Sequence, residues 1–391
     1  MARLVSKSLQ RSVPLNVHLD VTYRCNERCV HCYLDHRDHG EMTTAEIKRV
    51  LEELAQAGAF FLTVSGGEIF LRPDLSELLA HARALRFDIS LKTNALLVDE
   101  ARARELKAVG VRRVQVSLYS ADPQIHDAVT KIPGSLERTL RGIHLLQQQG
   151  LLVKLSCPLM RQNVHGYKGV QALADALGVT YTLDPTITPM LDGDRSVVDS
   201  RVDSSELLAV FEDPVFNKRL DPRAAPEQAK PLAAEAPHHA GAGLARAFDN
   251  IPCSAGQNNV YISPYGDVYP CVQMPLATGN LRKQSFREIW YGSPQMRRVR
   301  DSRESMVQIC GGCEIKQYCQ RCPGLAQMED GDMMGPSWRA CELAELSARV
   351  AGIENPVSAY RQLWDEGKIA GKRAPAVGGL VTIAPLAAAQ G

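Results

Sequence analysis

An excess of either charge is missing: 45 Lys and Arg stand against 44 Asp and Glu in 391 residues. That balance removes the usual electrostatic case for a nucleic acid, a membrane surface or a strongly charged substrate as partner. Long hydrophobic runs are missing too. No stretch approaches the ~20 uninterrupted apolar residues of a membrane-spanning helix. The first residues, MARLVSKSLQRSVPL, lack both an apolar core segment and a small-residue cleavage site, so no secretory signal is expected. No internal repeat is evident. What the chain has is cysteine, eleven in all. Without a secretory signal they point to metal ligation in a reducing cytoplasm rather than to disulfides. The length allows a sizeable core and about two domains.

From residue 15 to about 190, strand-like and helix-like segments alternate, as in a parallel α/β sheet. Strands are expected near 15–21, 60–65, 87–93, 112–118, 151–157 and 179–184. Helices are expected over 43–57 behind a Thr43 or Thr44 cap, 74–85 after Pro73, 99–109, 135–149 and 166–177. Apolar residues such as Ile47, Val50, Leu51 and Leu54 recur at helical spacing. Six such repeats predict an α/β fold: a partial (β/α)6 TIM-type barrel, followed by a small cysteine-rich C-terminal domain. Chemistry on such barrels sits on the loops beyond the strand C-termini. A six-stranded barrel also stays open at one side, which leaves room for a bulky substrate such as a peptide.

The expected domain limits are an N-terminal arm over 1–14, the barrel over 15–219, a linker over 220–250 and the cysteine-rich domain over 251–350. A C-terminal helix and loose tail then fill 351–391. The linker is rich in alanine and proline, and its His238 and His239 read as solvated residues rather than ligands.

Cys25, Cys29 and Cys32, in TYRCNERCVHCY, follow the apolar run from Leu15 to Val21 and belong at the mouth of the sheet. A structural zinc takes four protein ligands, so three closely spaced thiolates suggest a metal centre with one open position. His31 inside the triplet is also a possible zinc ligand. A second element, Ser65-Gly66-Gly67-Glu68, follows the run Phe60 to Val64. Its glycines allow close approach of the backbone to a ligand, and its glutamate can accept a charge-assisted hydrogen bond from an ammonium group. Alone, the same residues would read as a glycine turn closing a βα unit.

The remaining cysteines cluster late. Cys253 and Cys271 bracket Gly266 as C-x12-G-x4-C, within the hairpin-like SPYGDVYPC. Cys310, Cys313, Cys319 and Cys322 run C-x2-C-x5-C-x2-C, with Cys341 beyond. In isolation the group of four would read as a structural zinc knuckle. Cys157, the one left over, reads as a small buried hydrophobe.

Taken together, the C-x3-C-x2-C triplet and the Gly-Gly-Glu element resemble the radical S-adenosylmethionine (radical SAM) superfamily. The late cysteines resemble its SPASM extension, which carries auxiliary iron–sulfur clusters. The SPASM pattern usually has three residues where this chain has two, between Cys319 and Cys322. The resemblance implies a SAM-binding [4Fe-4S] cluster on Cys25, Cys29 and Cys32, with one iron left open to S-adenosyl-L-methionine. It implies an outer auxiliary [4Fe-4S] cluster on Cys310, Cys313, Cys319 and Cys341. An inner one would sit on Cys253, Cys271 and Cys322. It assigns Gly66, Gly67 and Glu68 to the amino group of SAM, and Tyr33, Asn94 and Ser117 to further SAM contacts. One-electron reduction would then cleave SAM to a 5′-deoxyadenosyl radical that takes a hydrogen from the substrate.

The loop after the sixth strand offers Asp184, Asp192, Asp194 and Arg195 at the substrate mouth. The three aspartates are candidate general bases, although a capped turn explains the Asp-Gly-Asp as well. Within the superfamily the expected substrate is a ribosomally made precursor peptide or a protein, which is crosslinked, oxidised or cut. A tetrapyrrole of the haem pathway is the runner-up. Val272 stands where anaerobic sulfatase maturases tend to carry an acid, which counts against that class. A non-catalytic metal scaffold would have no use for the Gly-Gly-Glu element. The implied partners are a low-potential flavodoxin or ferredoxin and a separate leader-binding protein, since only about fourteen residues precede the first strand.

Overall fold

Six apolar-patterned runs form six parallel strands in the computed structural model, which describes residues 2–36, 39–214 and 251–368. They are β1 (Asn16–Thr22), β2 (Phe61–Gly66), β3 (Asp88–Thr93), β4 (Arg113–Ser117), β5 (Leu152–Pro158) and β6 (Thr180–Asp184). Each lies beside its sequence neighbour, the arrangement that right-handed βαβ crossovers generate. The expected helices are α2 (Thr44–Gln56), α3 (Leu75–Ala84), α4 (Glu100–Val109), α6 (Ser135–Gln148) and α7 (Tyr167–Leu177). Thr43 is the cap of α2: its hydroxyl accepts from the Glu46 amide while Glu46 reaches back to the Thr43 amide.

Three further helices were not expected. They are α1 (Ala2–Gln10), inside the segment read as an arm, α5 (Pro123–Thr130) and α8 (Ser204–Glu212). Most of the proposed linker, with His238 and His239, and the tail beyond 368 lie outside the described residues.

The C-terminal part does not stand apart from the barrel. Strand β7 (Asn259–Ile262) pairs in parallel with β1, Asn16 opposite Asn259 and Leu19 opposite Ile262. An antiparallel hairpin then turns through Gly266, at φ 85°, into β8 (Asp267–Tyr269), with the two-residue β9 (Gly279–Asn280) at the margin. The full sheet order is β6-β5-β4-β3-β2-β1-β7-β8-β9, so among the described residues β6 and β9 are the edges and the barrel is not closed.

The two faces of the strands differ sharply. Val17, Leu19, Val21, Leu62, Val64, Ile89, Leu91, Val114, Val116, Val153 and Leu155 pack outward against the helices in one buried core. At ~25 cal/mol per Å2 of apolar surface removed from water, that layer dominates stability. The inward positions are His18 and Asp20 on β1, Thr63 and Ser65 on β2, Ser90 and Lys92 on β3, Gln115 and Ser117 on β4, Lys154 and Ser156 on β5. A parallel ladder keeps paired residues on one face, so these polar groups share a hydrophilic lumen. No described helix is long and apolar enough to cross a membrane.

Candidate active site at the mouth of the barrel

The cysteine loop begins where β1 ends, and main-chain hydrogen bonds fix its first residues. Gly67 N–H donates to Thr22 O at 2.8 Å and Glu68 N–H to Arg24 O at 2.9 Å. Glu41 accepts from Thr22 Oγ1 (2.6 Å) and from the Tyr23 amide (2.9 Å). The buried Arg72 donates to Val21 O and Met42 O, both at 2.9 Å. The segment just before Cys25 is therefore held from both sides.

The glycines serve that docking. A Cβ on Gly66 would lie 2.1 Å from Thr22 O, and one on Gly67 2.3 Å from Arg24 O. Gly66 also sits at φ 138°, a backbone that disfavours a side chain. The crowding comes from the chain's own cysteine loop.

Glu68 is likewise held by the chain itself. Its carboxylate is fully buried and accepts from Thr93 Oγ1 (2.8 and 2.9 Å), the Asn94 amide (2.9 Å) and the Phe70 amide (3.1 Å). It is an internal strut joining the ends of β2 and β3. Asn94 lies close to the cysteine loop, donating through Nδ2 to Asn26 Oδ1 at 2.7 Å. Ser117 faces the lumen opposite Ser156. Tyr33 approaches Asp20: burial, then the Asp20 charge, pushes its phenol well above the usual value.

Cys25, Cys29 and Cys32 occupy one half-buried loop beside Tyr119, whose hydroxyl is 3.5 Å from Cys29 Sγ. His31 packs edge-on against the Tyr119 ring, with centroids 5.0 Å apart, and its Nδ1 has no partner. Burial holds its pKa down at about 4, so it packs as a neutral aromatic.

The late cysteines fall into two separate sets. Cys271 is close enough to Cys253 and Cys322 for their charges to act on it, while Cys341 is so placed against Cys319, Cys310 and Cys313. Cys322, despite the shortened spacing, therefore stands with Cys253 and Cys271. It caps the helix Pro323–Asp330, its Sγ accepting the Leu325 amide. Gly324 permits this approach, since a Cβ there would lie 2.1 Å from Gln273 O. Gly324→Ala is expected to separate Cys322 from Cys271 and to cost about four irons per chain, those of one [4Fe-4S] cluster. Iron analysis of the reconstituted variant checks this.

The fit of these residues to iron–sulfur clusters rests on donor chemistry. Backbone amides aim at sulfur in all three sets: Glu27 N–H at Cys25 (3.4 Å), Ala255 N–H at Cys253 (3.4 Å), Leu325 N–H at Cys322 (3.5 Å) and Ala359 N–H at Cys313 (3.4 Å). Amide hydrogen bonds to cysteine sulfur are among the levers that set cluster potentials. Burial first, and neighbouring thiols second, push Cys253 and Cys319 up to about 11 and Cys271 to about 12. Such thiols keep their protons until a metal displaces them. Among the described residues no three His, Cys, Asp or Glu side chains converge as ligands of a single ion. Cys157 is fully buried in the core, as expected.

Asp184 ends β6 on the face that carries Ser156 and Ser117, while Asp192 and Asp194 lie in the loop beyond. Asp184 accepts from the Thr186 amide, Asp192 from Asp194 and Asp194 from Ser196, each an Asx-type turn, and Asp192 and Asp194 are exposed. Local turn geometry uses the carboxylates that sequence reasoning assigned to proton transfer. Arg195 donates to Glu329 O at 2.8 Å and Arg201 pairs with the buried Glu329 carboxylate, so this loop locks onto the helix that Cys322 caps.

The lumen also holds a group that sequence reasoning passed over. Asp20, fully buried, accepts from Tyr261 Oη at 2.9 Å and stands 3.1 Å from His18 Nε2, and Tyr261 meets Tyr23 hydroxyl to hydroxyl at 2.6 Å. The available signal was the alternation in Asn-Val-His-Leu-Asp-Val-Thr, since a strand buried on two apolar faces reads as an unbroken hydrophobic run.

Known proteins agree with this anatomy. The radical SAM superfamily profile matches residues 19–168 and the SPASM iron–sulfur cluster-binding domain matches residues 253–314. The chain is 30% identical over 337 residues to an AdoMet-dependent heme synthase of Methanosarcina barkeri, covering 83% of this chain and 95% of that protein. It is 30% identical over 378 residues to a PqqA peptide cyclase of Xanthomonas axonopodis pv. citri, covering 88% and 92%. Streptococcus suis SuiB, solved with its precursor peptide SuiA, has the same fold at a TM-score of 0.61 and 17% identity, over 81% of this chain and 74% of that one. With a cysteine triplet at the barrel mouth and a second cysteine-rich region paired onto β1, this chain belongs to the radical SAM superfamily and is a radical SAM enzyme with a C-terminal SPASM domain.

Proposed function

We propose that the substrate is a ribosomally made peptide or a segment of a protein, which the enzyme crosslinks, oxidises or cuts. The observation that carries this reading is a polar lumen left open along β6, which admits an extended chain to the cysteine loop from the side. The PqqA peptide cyclases among the relatives and the peptide seen on SuiB support it. In this reading Cys25, Cys29 and Cys32 hold the SAM-binding cluster. Cys310, Cys313, Cys319 and Cys341 hold the outer auxiliary cluster, and Cys253, Cys271 and Cys322 the inner one. The bound cluster and SAM supply a 5′-deoxyadenosyl radical when an electron arrives from a flavodoxin or ferredoxin.

The chain's own residues do the rest. The Gly66–Gly67 segment and Asn94 set the floor on which SAM rests, and Glu68 braces that floor from below. Tyr23, Tyr261 and Asp20 form a hydrogen-bonded line from the cysteine loop into the lumen, fit to take a proton from an oxidised substrate. A separate leader-binding protein would present the peptide, and eleven free thiols suit a reducing cytoplasm.

A second reading, a tetrapyrrole substrate, is favoured by the likeness to AdoMet-dependent heme synthases. The two differ in what binds. Under the peptide reading, the precursor peptide encoded beside the gene changes mass on incubation with reduced enzyme and SAM, and added porphyrin gives no stoichiometric visible-absorbing complex. An unchanged peptide together with a tight porphyrin complex would reverse the assignment.

A further inference from the structure

Lys92 is a lumen cation that makes no hydrogen bond or ion pair among the described residues. It lies on β3 two residues before Asn94, in register with Gln115 on β4 and on the face that carries Asp20 and Lys154. Other charges nearby are already engaged. Arg113 donates to Asp88 at 2.7 Å, and Asp20 takes its hydrogen bonds from Tyr261 and His18. Among the described residues no acceptor stands within hydrogen-bond or ion-pair distance of the Lys92 ammonium. Burial lowers its pKa, while the charges of Asp20 and then Cys271 act in the opposite sense. Its register places it on the lumen face with Ser65 of β2 and Gln115 of β4, the face that also carries Asp20.

A half-buried ammonium that no acceptor touches is poorly compensated, and an incoming anion improves its solvation. A monoanion suits the site better than a phosphate dianion, because Asp20 on the same face repels the second charge. We propose that Lys92 is the anion-recognition residue of the substrate cavity and takes a carboxylate of the substrate. A peptide supplies that group as a glutamate, an aspartate or a C-terminus, and a tetrapyrrole supplies it as a propionate. The inference rests on the lumen being the substrate cavity, as proposed above.

The test titrates reconstituted enzyme, saturated with SAM, with two pairs of probes. One pair is a hexapeptide with a single central glutamate and its glutamine twin. The other is protoporphyrin IX and its dimethyl ester. In the wild type the acid of one pair is expected to bind roughly tenfold to a hundredfold tighter than its neutral twin, the range of a charge-assisted hydrogen bond. The pair that discriminates identifies the source of the carboxylate. In Lys92→Met the preference collapses to about unity, and Lys92→Arg restores part of it. Iron content and unfolding temperature show whether each variant is folded, with Lys92→Gln as the second neutral variant.

A wild type that binds neither acid more tightly than its twin overturns the proposal. So does a preference that survives Lys92→Met. So does a variant in which only SAM affinity falls, since the lysine would then serve the carboxylate of SAM. Failure of the wild type to cleave SAM would instead strike the assigned chemistry and leave the binding ratios to stand by themselves.

Discussion

Cys29→Ala is expected to abolish reductive cleavage of SAM while leaving about eight of about twelve irons in place, four for each auxiliary cluster that remains. The structure gives two reasons. Cys29 is the middle cysteine of the triplet proposed to hold the SAM-binding cluster, and a cubane held by two thiolates would have no comparable anchor. Its Sγ also lies 3.2 Å from Glu27 Oε2 and 3.5 Å from the Tyr119 hydroxyl, inside the contacts that shape the loop. The late cysteines form separate sets, electrostatically coupled within each set. Iron and sulfide analysis beside a 5′-deoxyadenosine assay reads both halves. Loss of all iron would mean that the three sets do not load independently.

Gly67→Ala is expected to be almost as damaging without touching a ligand. The new methyl would meet Arg24 O at 2.3 Å and Tyr23 O at 2.7 Å, backbone atoms that cannot swing aside. Relief requires the end of β2 to leave the cysteine loop, breaking the bonds from Gly67 and Glu68 to Thr22 and Arg24. A cost of about 3–5 kcal/mol is in the range for such strain and would lower the unfolding temperature by roughly 10 °C. SAM cleavage should fall by at least about a hundredfold, since displacements near 1 Å are enough for that. Differential scanning fluorimetry and the cleavage assay check it. Near-native behaviour would show that the docking of the two loops is not rigid.

The sequence made the frame of this site legible because its signals are local. Strand edges fall within a residue or so of the apolar runs, and Thr43 with Glu46 marks the start of α2 at the expected place. The cysteine spacings and the Gly-Gly-Glu element need only neighbours in the chain to be read. What escaped depends on distance. Nothing near Asn259 announces that it pairs with Asn16, and only that pairing brings Tyr261 to Asp20. Lys92 is one lysine among many until the register turns it into the lumen.

The internal contacts of Gly67 and Glu68 escaped for a related reason. Short motifs show which residue types are present, but not whether a ligand or the chain itself fills the space beside them. The turn bonds of Asp184, Asp192 and Asp194 were legible, since each carboxylate accepts from an amide two residues on. Helix α5 hid for another reason. Its end turns on Asp127, which accepts from the Gly134 and Leu136 amides, a tertiary closure rather than a periodic one.

The assignment as a whole turns on whether the barrel mouth performs reductive SAM cleavage. The direct measurement is anaerobic reconstitution, addition of dithionite and SAM, and quantitation of 5′-deoxyadenosine, methionine, iron and zinc in one preparation. The account predicts equal amounts of 5′-deoxyadenosine and methionine, about twelve irons per chain and no zinc. A protein that takes up zinc in place of iron and forms neither product would contradict it.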